Sequence, residues 1–333
     1  MMGRAALLAM LLALVTTATG ADIDADATAE RVASVIEHEY VDAVLGAKIA
    51  AELRAQAKRG RFASAASDEA LASELTEVIR GISGPGHLYV EQNEKLSAAP
   101  PNDAQGVDEA FEQAERDRYY GAHLNFGFEK VERLDGNIGL LELDVFAPVD
   151  MGGPTAVATM QFLASTDALI IDLRNNGGGY GEMANLLASY LFDAGTHPLS
   201  GIYSRERDAT KPQHTHAYVP GPRYGQSKPV FILTSKRTFS AAEAFTYDLK
   251  ALDRVTVVGA RTGGGANPFE YRHVAKSLVL WLERERSVNP ITKGNWQTVG
   301  ITPDVEAAPE EAFAVAYDLA KRAVRKKSPD PGK

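Results

Sequence analysis

Apolar residues in the first third of the chain recur at helical spacing. Leu45, Ile49 and Leu53 stand four apart, and Leu71, Leu75, Val78, Ile79 and Ile82 trace one buried stripe. Ser67 reads as the N-cap of that second helix, Asp68 and Glu69 suit its first turn, and Gly81 and Gly84 stop it. Residues from about 27 to 83 are thus predicted helical, ending in a tight Ser83-Gly84-Pro85-Gly86-His87 turn before the apolar-alternating Leu88-Tyr89-Val90. An Ala/Pro/Asn/Asp-rich stretch at 98–105 reads as a linker. Beyond it Phe126 and Phe128 alternate with small or polar residues, Asp135-Gly136 marks a hairpin turn, and Ile138–Phe146 reads as a strand. Strands and helices then alternate. Helices are predicted at Thr155–Ala164, Glu182–Phe192 and Ala241–Leu252, and strands at Ala168–Leu173, Val230–Thr234, Val255–Gly259 and Ser277–Leu282. A last helix opens near Pro309, Glu310 and Glu311 and carries Lys321, Arg322 and Arg325 at its end, as the helix dipole favours. Apolar runs without polar alternates belong to strands covered on both faces, which makes the class α/β.

Composition narrows the function. The 333 residues allow two domains, 45% of them are apolar, and the formal charge of −9 argues against a nucleic-acid binder. Cysteine is absent, which excludes disulfides, thiolate nucleophiles and cysteine-held metals. Met1–Gly20 has one basic residue, an apolar run from Ala5 to Val15, and small residues at Ala18 and Gly20. It reads as a secretory signal peptide cut before Ala21, its apolar run too short to span a bilayer, and the protein is expected to be exported, periplasmic or secreted.

Two turns carry candidate chemistry. Strand 168–173 runs into Arg174-Asn175-Asn176-Gly177-Gly178-Gly179, and three glycines there expose backbone N–H groups where an anion could sit. The run lacks the Lys-Ser/Thr of a phosphate loop, so an oxyanion hole fits better. The second turn, Thr238-Phe239-Ser240-Ala241, puts a serine at a helix N-terminus; an isolated serine there is ordinarily a cap, and it gains interest if the two turns lie side by side. Among seven histidines, His87 follows a Gly-Pro-Gly turn that fixes its place, as a general base requires. His214 and His216 form an H-x-H in a polar loop and fit a solvated loop better than a metal site.

Six stretches in order resemble the C-terminal-processing (tail-specific) serine peptidase family, especially its branch related to the tricorn core and to interphotoreceptor retinoid-binding protein. They are GPGHLYV at 84–90, NFGFEKVERLDGNIGLLEL at 125–143, ALIIDLRNNGGG at 168–179, TSKRTFSAAEAF at 234–245, VVGARTGGGANP at 257–268 and RSVNPITKGNWQTVGITPDVEA at 286–307. The resemblance implies a crotonase-like (ClpP/crotonase) α/β peptidase core at 125–327, preceded by a helical module at 21–97 and a linker at 98–124, with a disordered tail at 328–333. It implies Ser240 as nucleophile, His87 as general base, the N–H groups of Gly178 and Ala241 as oxyanion hole, a peptide or unfolded-protein substrate, and no cofactor or metal. The chain departs from the family in three places. Gly263-Gly264-Gly265 lacks the lysine of a Ser/Lys dyad, the interval from Val90 to Asn125 is too short for a PDZ domain, and Gln297 stands where a His-orienting glutamate is usual. The orienting role thus falls to Gln297 as an amide, to Glu243 or Glu270, or to nothing; in the last case the protein is a weak or inactive homologue that binds peptides or hydrophobic ligands. With His87 as base, turnover is expected to fall as pH drops through roughly 6.5, and Gln297→Glu to raise it.

Overall fold

The computed structural model describes residues 24–84, 86–93 and 109–327. The expected leader (1–20), the Ala/Pro-rich stretch at 98–105, Pro85 of the Gly-Pro-Gly turn and the tail at 328–333 lie outside the described residues. Three helices open the described chain: α1 (Ala25–Glu39), α2 (Ala43–Lys58) and α3 (Asp68–Ser83). Each is capped by a short polar side chain, from Asp24, Asp42 and Ser67 respectively, that accepts orphan N–H groups of the first turn. Helix α4 (Glu109–Tyr120) occupies the described part of the segment read as a linker. Its sequence is mostly polar and has no apolar stripe to announce it; Arg116 ties it to Asp150, and Tyr120 meets Tyr180 edge-on.

The centre is a six-stranded sheet of β2 (Phe128–Leu134), β3 (Ile138–Leu143), β4 (Ala168–Asp172), β7 (Val230–Thr234), β8 (Thr256–Gly259) and β12 (Val305–Glu306). The order is β12-β8-β7-β4-β3-β2, parallel throughout except for the β2–β3 hairpin at one edge. Helices α5 (Val149–Leu163), α6 (Gly181–Tyr190) and α7 (Ala241–Ala251) share one core with one face; α8 (Ala312–Lys327) covers the other. Burial on both faces explains the unbroken apolar runs of β4 and β7. Two expected boundaries move. Strand β3 stops at Leu143, leaving Phe146 to make a lone bridge to Gly179, and α5 begins six residues before Thr155. Its Gly152-Gly153-Pro154 run discourages helix, but Gly152 is where Phe126 and Met183 close against the backbone, and that packing prevails.

Two smaller sheets complete the fold. One pairs β5 (Pro198–Ser204) with β6 (Ala209–His214) and β11 (Glu285–Val288); β6 is polar and exposed, without alternation to reveal it. The other pairs β1 (Tyr89–Gln92) with β10 (Leu278–Leu282) and β9 (Glu270–His273). The helices α1–α3 therefore do not stand as a separate module. Their core continues through Leu88 and Val90 into Val274, Leu278, Leu280 and Leu282, so residues near both ends of the chain bury one another. Among the described residues no helix is long and apolar enough to cross a membrane.

Candidate active site

Parallel pairing of β4 with β7 brings their carboxyl ends together, so the glycine turn and the serine turn do lie side by side. Four hydrogen bonds stitch them: Leu173 N–H to Leu233 C=O (3.0 Å), Phe239 N–H to Asn176 C=O (3.1 Å), Thr238 Oγ1 to Leu173 C=O (2.8 Å) and Ser235 Oγ to Arg174 C=O (2.6 Å). Ser240 stands at the N-terminus of α7 with φ 53° and ψ −119°, unlike the extended backbone of an ordinary cap. Such a left-handed serine costs of order 1–3 kcal/mol and persists only where its surroundings impose it. Glu243 imposes it. One turn into α7 and fully buried, its carboxylate accepts from Ser240 N–H (3.0 Å), Thr262 Oγ1 (2.5 Å), Gly264 N–H (2.7 Å) and Gly265 N–H (2.8 Å). Burial pushes the Glu243 carboxyl up and the four donors oppose that. Glu243 is thus the brace of the serine turn, and Glu270, exposed and paired with Arg272 and Arg284, is engaged on the surface; neither forms a hydrogen bond or ion pair with the His87 imidazole.

Gly178 and Gly179 both use left-handed backbone, at φ 112° and 124°. A Cβ on Gly178 would lie 2.7 Å from Ser240 Cβ and 3.1 Å from Ala241 N, and one on Gly179 2.2 Å from Phe146 O. The turn thus sits directly under the serine. The Gly178 N–H, expected to face an oxyanion, instead donates to Asn176 Oδ1 at 2.8 Å, because the buried Asn176 is itself held by Leu143 C=O. Gly179 rather than Gly178 lines the cleft of about 370 Å³ that also exposes Ser240, Ala241, Asn267 and Phe269. The Ala241 N–H, first in its helix, has no intrahelical acceptor and points its dipole end at this space. The Gly263–Gly265 run has a packing reason too: Cβ atoms on Gly263 and Gly265 would meet the Phe239 ring at 2.7 and 2.2 Å. At Gly264, φ is 92° and the Thr298 backbone 2.9 Å from a Cβ, which leaves no room for a dyad lysine.

His87 is buried beside this cleft, stacked on Phe269 (centroids 4.2 Å apart) and edge-on to Phe239 (5.1 Å). Burial drives its pKa down to about 4, and the Asn267 backbone counters this only in part. Among the described residues no hydrogen bond joins His87 to Ser240. Gln297 does not reach the imidazole either. Its Oε1 accepts from Ala266 N–H (2.7 Å) and Asn267 N–H (3.3 Å), and its Nε2 donates to Glu283 Oε1 at 3.1 Å. Glu283 is the residue that sequence reasoning missed. Its Oε1 accepts the His87 backbone N–H at 2.8 Å and lies 3.9 Å from His87 Nδ1. The Glu283-Arg284-Glu285-Arg286 alternation disguises it as a solvated strand, and only its place directly after the apolar run 278–282 hints otherwise. His214 and His216 are both exposed, and among the described residues no three His, Asp or Glu side chains are grouped to hold a metal.

Residues 137–307 match the model of peptidase family S41. The tricorn protease of Thermoplasma volcanium is 29% identical over 140 residues, which is 40% of this chain and 12% of that much longer protein. Among solved structures, a candidate peptidase from Parabacteroides merdae superposes with a TM-score of 0.63 at 18% identity, over 90% of this chain and 97% of that one. The photosystem II D1 C-terminal processing protease gives 0.53 at 13% identity, over 91% and 97%. At these identities the superpositions speak for the fold.

Proposed function

Because the chain belongs to peptidase family S41, we propose that it hydrolyses peptide bonds with Ser240 as nucleophile and His87 as general base. The observation that carries this reading is the strained Ser240, held at the head of α7 directly over the glycine turn. Ser240 Oγ attacks the scissile carbonyl, and His87, uncharged at neutral pH because it is buried, accepts the proton and returns it to the leaving amine. The Ala241 N–H supplies one donor to the oxyanion; the Gly178 N–H becomes the second by exchanging Asn176 Oδ1 for it. The substrate is a peptide or unfolded chain laid into the cleft. The leader read in residues 1–20 supports action outside the cytoplasm, which cell fractionation tests.

Covalent labelling by a fluorophosphonate probe tests the nucleophile. Labelling of the wild-type protein that is lost in both Ser240→Ala and His87→Ala is the expected result. The occupied Gly178 amide and the missing Ser240–His87 bond favour a second reading, a peptide binder that does not turn over, and folded wild-type protein that resists the probe would establish it. The pH profile is a further check. The ordinary histidine pKa places the acid limb at roughly 6.5, but burial moves His87 to about 4. The labelling rate is therefore expected to stay level from pH 8 to 5 and fall only toward pH 4. The linked stability follows the same window: the unfolded chain binds the proton first, so folding stability drops as pH falls from 6.5 to 4. A limb at 6.5 would mean that the base is a solvated histidine.

A further inference from the structure

We propose that Glu283, not the family position 297, is the carboxylate that positions His87. This rests on the peptidase reading above. Nδ1 of His87 is buried and has no hydrogen-bond partner, and the Glu283 carboxylate faces it at 3.9 Å. That is about 1 Å longer than a hydrogen bond, a gap that closes when the imidazole takes a proton and becomes a cation beside a buried anion. Everything else around the carboxylate is a donor. His87 N–H reaches it at 2.8 Å, Asn267 Nδ2 at 2.8 Å and Gln297 Nε2 at 3.1 Å, and the Tyr40 side chain lies nearby. A site with three donors and, among the described residues, no competing acceptor is arranged for the ionised form, although burial itself raises the Glu283 pKa.

Gln297 serves Glu283 rather than the histidine. Its carbonyl oxygen is taken by the Ala266 and Asn267 amides, so only its NH2 remains to point inward, and that meets Glu283. Gly86 reports the closeness of the pair: a Cβ there would lie 2.8 Å from Gln297 Nε2 and 3.0 Å from Glu283 Oε1. The glycine before His87 is therefore needed to let carboxylate and amide pass under the turn. Val41 N–H binds the Glu283 carbonyl at 2.8 Å, so the α1–α2 junction, which also supplies Tyr40, clamps the residue from the other side. It follows that Gln297→Glu alone does not help the enzyme. It sets two carboxylates about 3 Å apart, which forces a shared proton.

The test compares wild type, Glu283→Gln, Gln297→Glu and the exchange Glu283→Gln/Gln297→Glu. Thermal unfolding confirms that each is folded. Two readouts are taken: the rate of fluorophosphonate labelling, and the His87 tautomer at pH 7 from imidazole ¹⁵N shifts. Glu283→Gln is expected to slow labelling by about 10²-fold, less than the ~10⁴ seen when an amide replaces a directly bonded triad carboxylate, and to shift the ring from the Nδ1–H toward the Nε2–H tautomer. The exchange variant carries its carboxylate only at 297, where the side chain meets residue 283 and the Ala266 and Asn267 amides rather than the imidazole, and is expected to label no faster than Glu283→Gln. Wild-type labelling and an unchanged tautomer in folded Glu283→Gln would overturn the proposal, as would an exchange variant that recovers toward the wild-type rate, which would assign the orienting role to position 297. If the wild type does not label at all, the peptidase reading fails, and the tautomer alone decides whether Glu283 governs His87.

Discussion

Glu243→Gln is expected to lower folding stability by about 3 kcal/mol and to remove most of the reactivity of Ser240. The carboxylate it replaces is acceptor-only, and each of its oxygens takes two donors: Oε1 from Thr262 and Gly264, Oε2 from Ser240 and Gly265. An amide has one acceptor oxygen. Whichever way it is turned, its NH2 faces at least one backbone N–H, and a buried donor left without its acceptor costs about 1–3 kcal/mol. With the amide on the Oε2 side, Ser240 and Gly265 both lose their partner, so about 3 kcal/mol is a central value. In thermal unfolding this is a fall of roughly 6–12 °C. The chemical effect is separate from the thermal one. The Ser240 N–H is the anchor of its left-handed backbone, and a serine that relaxes to an ordinary cap turns its hydroxyl away from the cleft. Glu270→Gln is the matched control. Glu270 pairs with arginines on the surface, and exposed ion pairs are worth about 0–1 kcal/mol. Equal behaviour of the two variants would refute the brace.

Gly178→Ala and Gly177→Ala are expected to differ sharply although they are neighbours. At Gly178 the methyl group meets Ser240 Cβ at 2.7 Å, Phe239 O at 3.0 Å and Ala241 N at 3.1 Å, with φ at 112°. None of these atoms is the end of a flexible side chain; all belong to the serine turn, which must move as a whole. The strain and overpacking together cost about 3 kcal/mol. Displacing the nucleophile by a fraction of an ångström to 1 Å lowers reactivity by roughly 10²-fold or more. At Gly177 a Cβ meets nothing within 4 Å and the backbone is not left-handed. Gly177→Ala should stay within about 1 kcal/mol of wild type and label at the wild-type rate. Labelling rates and melting curves of the two variants decide the matter; loss of labelling in both would mean that the whole run, and not its second residue, supports the serine.

What the sequence made legible was local. Glycines at the end of an apolar strand, a serine at a helix start and a histidine after Gly-Pro-Gly each break a regular pattern within a few residues, and all three mark places where the backbone is under constraint. The sheet was legible for a related reason: β4 and β7 are apolar on both faces, so their burial is written in composition. What failed depends on distance or polarity. The His87–Glu283 contact spans 196 positions, and no local pattern encodes which carboxylate meets which imidazole. Gln297, Glu243 and Glu270 were all reasonable orienting candidates by spacing, yet one holds Glu283, one braces Ser240 and one pairs with surface arginines. Helix α4 and strand β6 escaped because their polar sequences carry no periodic stripe. The left-handed backbone of Ser240 had no signal at all, since a serine there reads the same whether it is a relaxed cap or a strained one.

The pairing of β1 with β10 also bears on how the chain is made. Translation delivers the N-terminus first, so Tyr89–Gln92 leaves the ribosome with its partner Leu278–Leu282 still unsynthesised. The cores of α1–α3 remain open on that side until the hairpin arrives, and closing so long a loop is a late and slow event in folding. His87 acquires neither Glu283 nor the walls of Phe239 and Phe269 before then. The two turns that carry Ser240 and His87 thus meet their shared surroundings only after residue 283 has been made, so the candidate site is among the last parts of the fold to be completed.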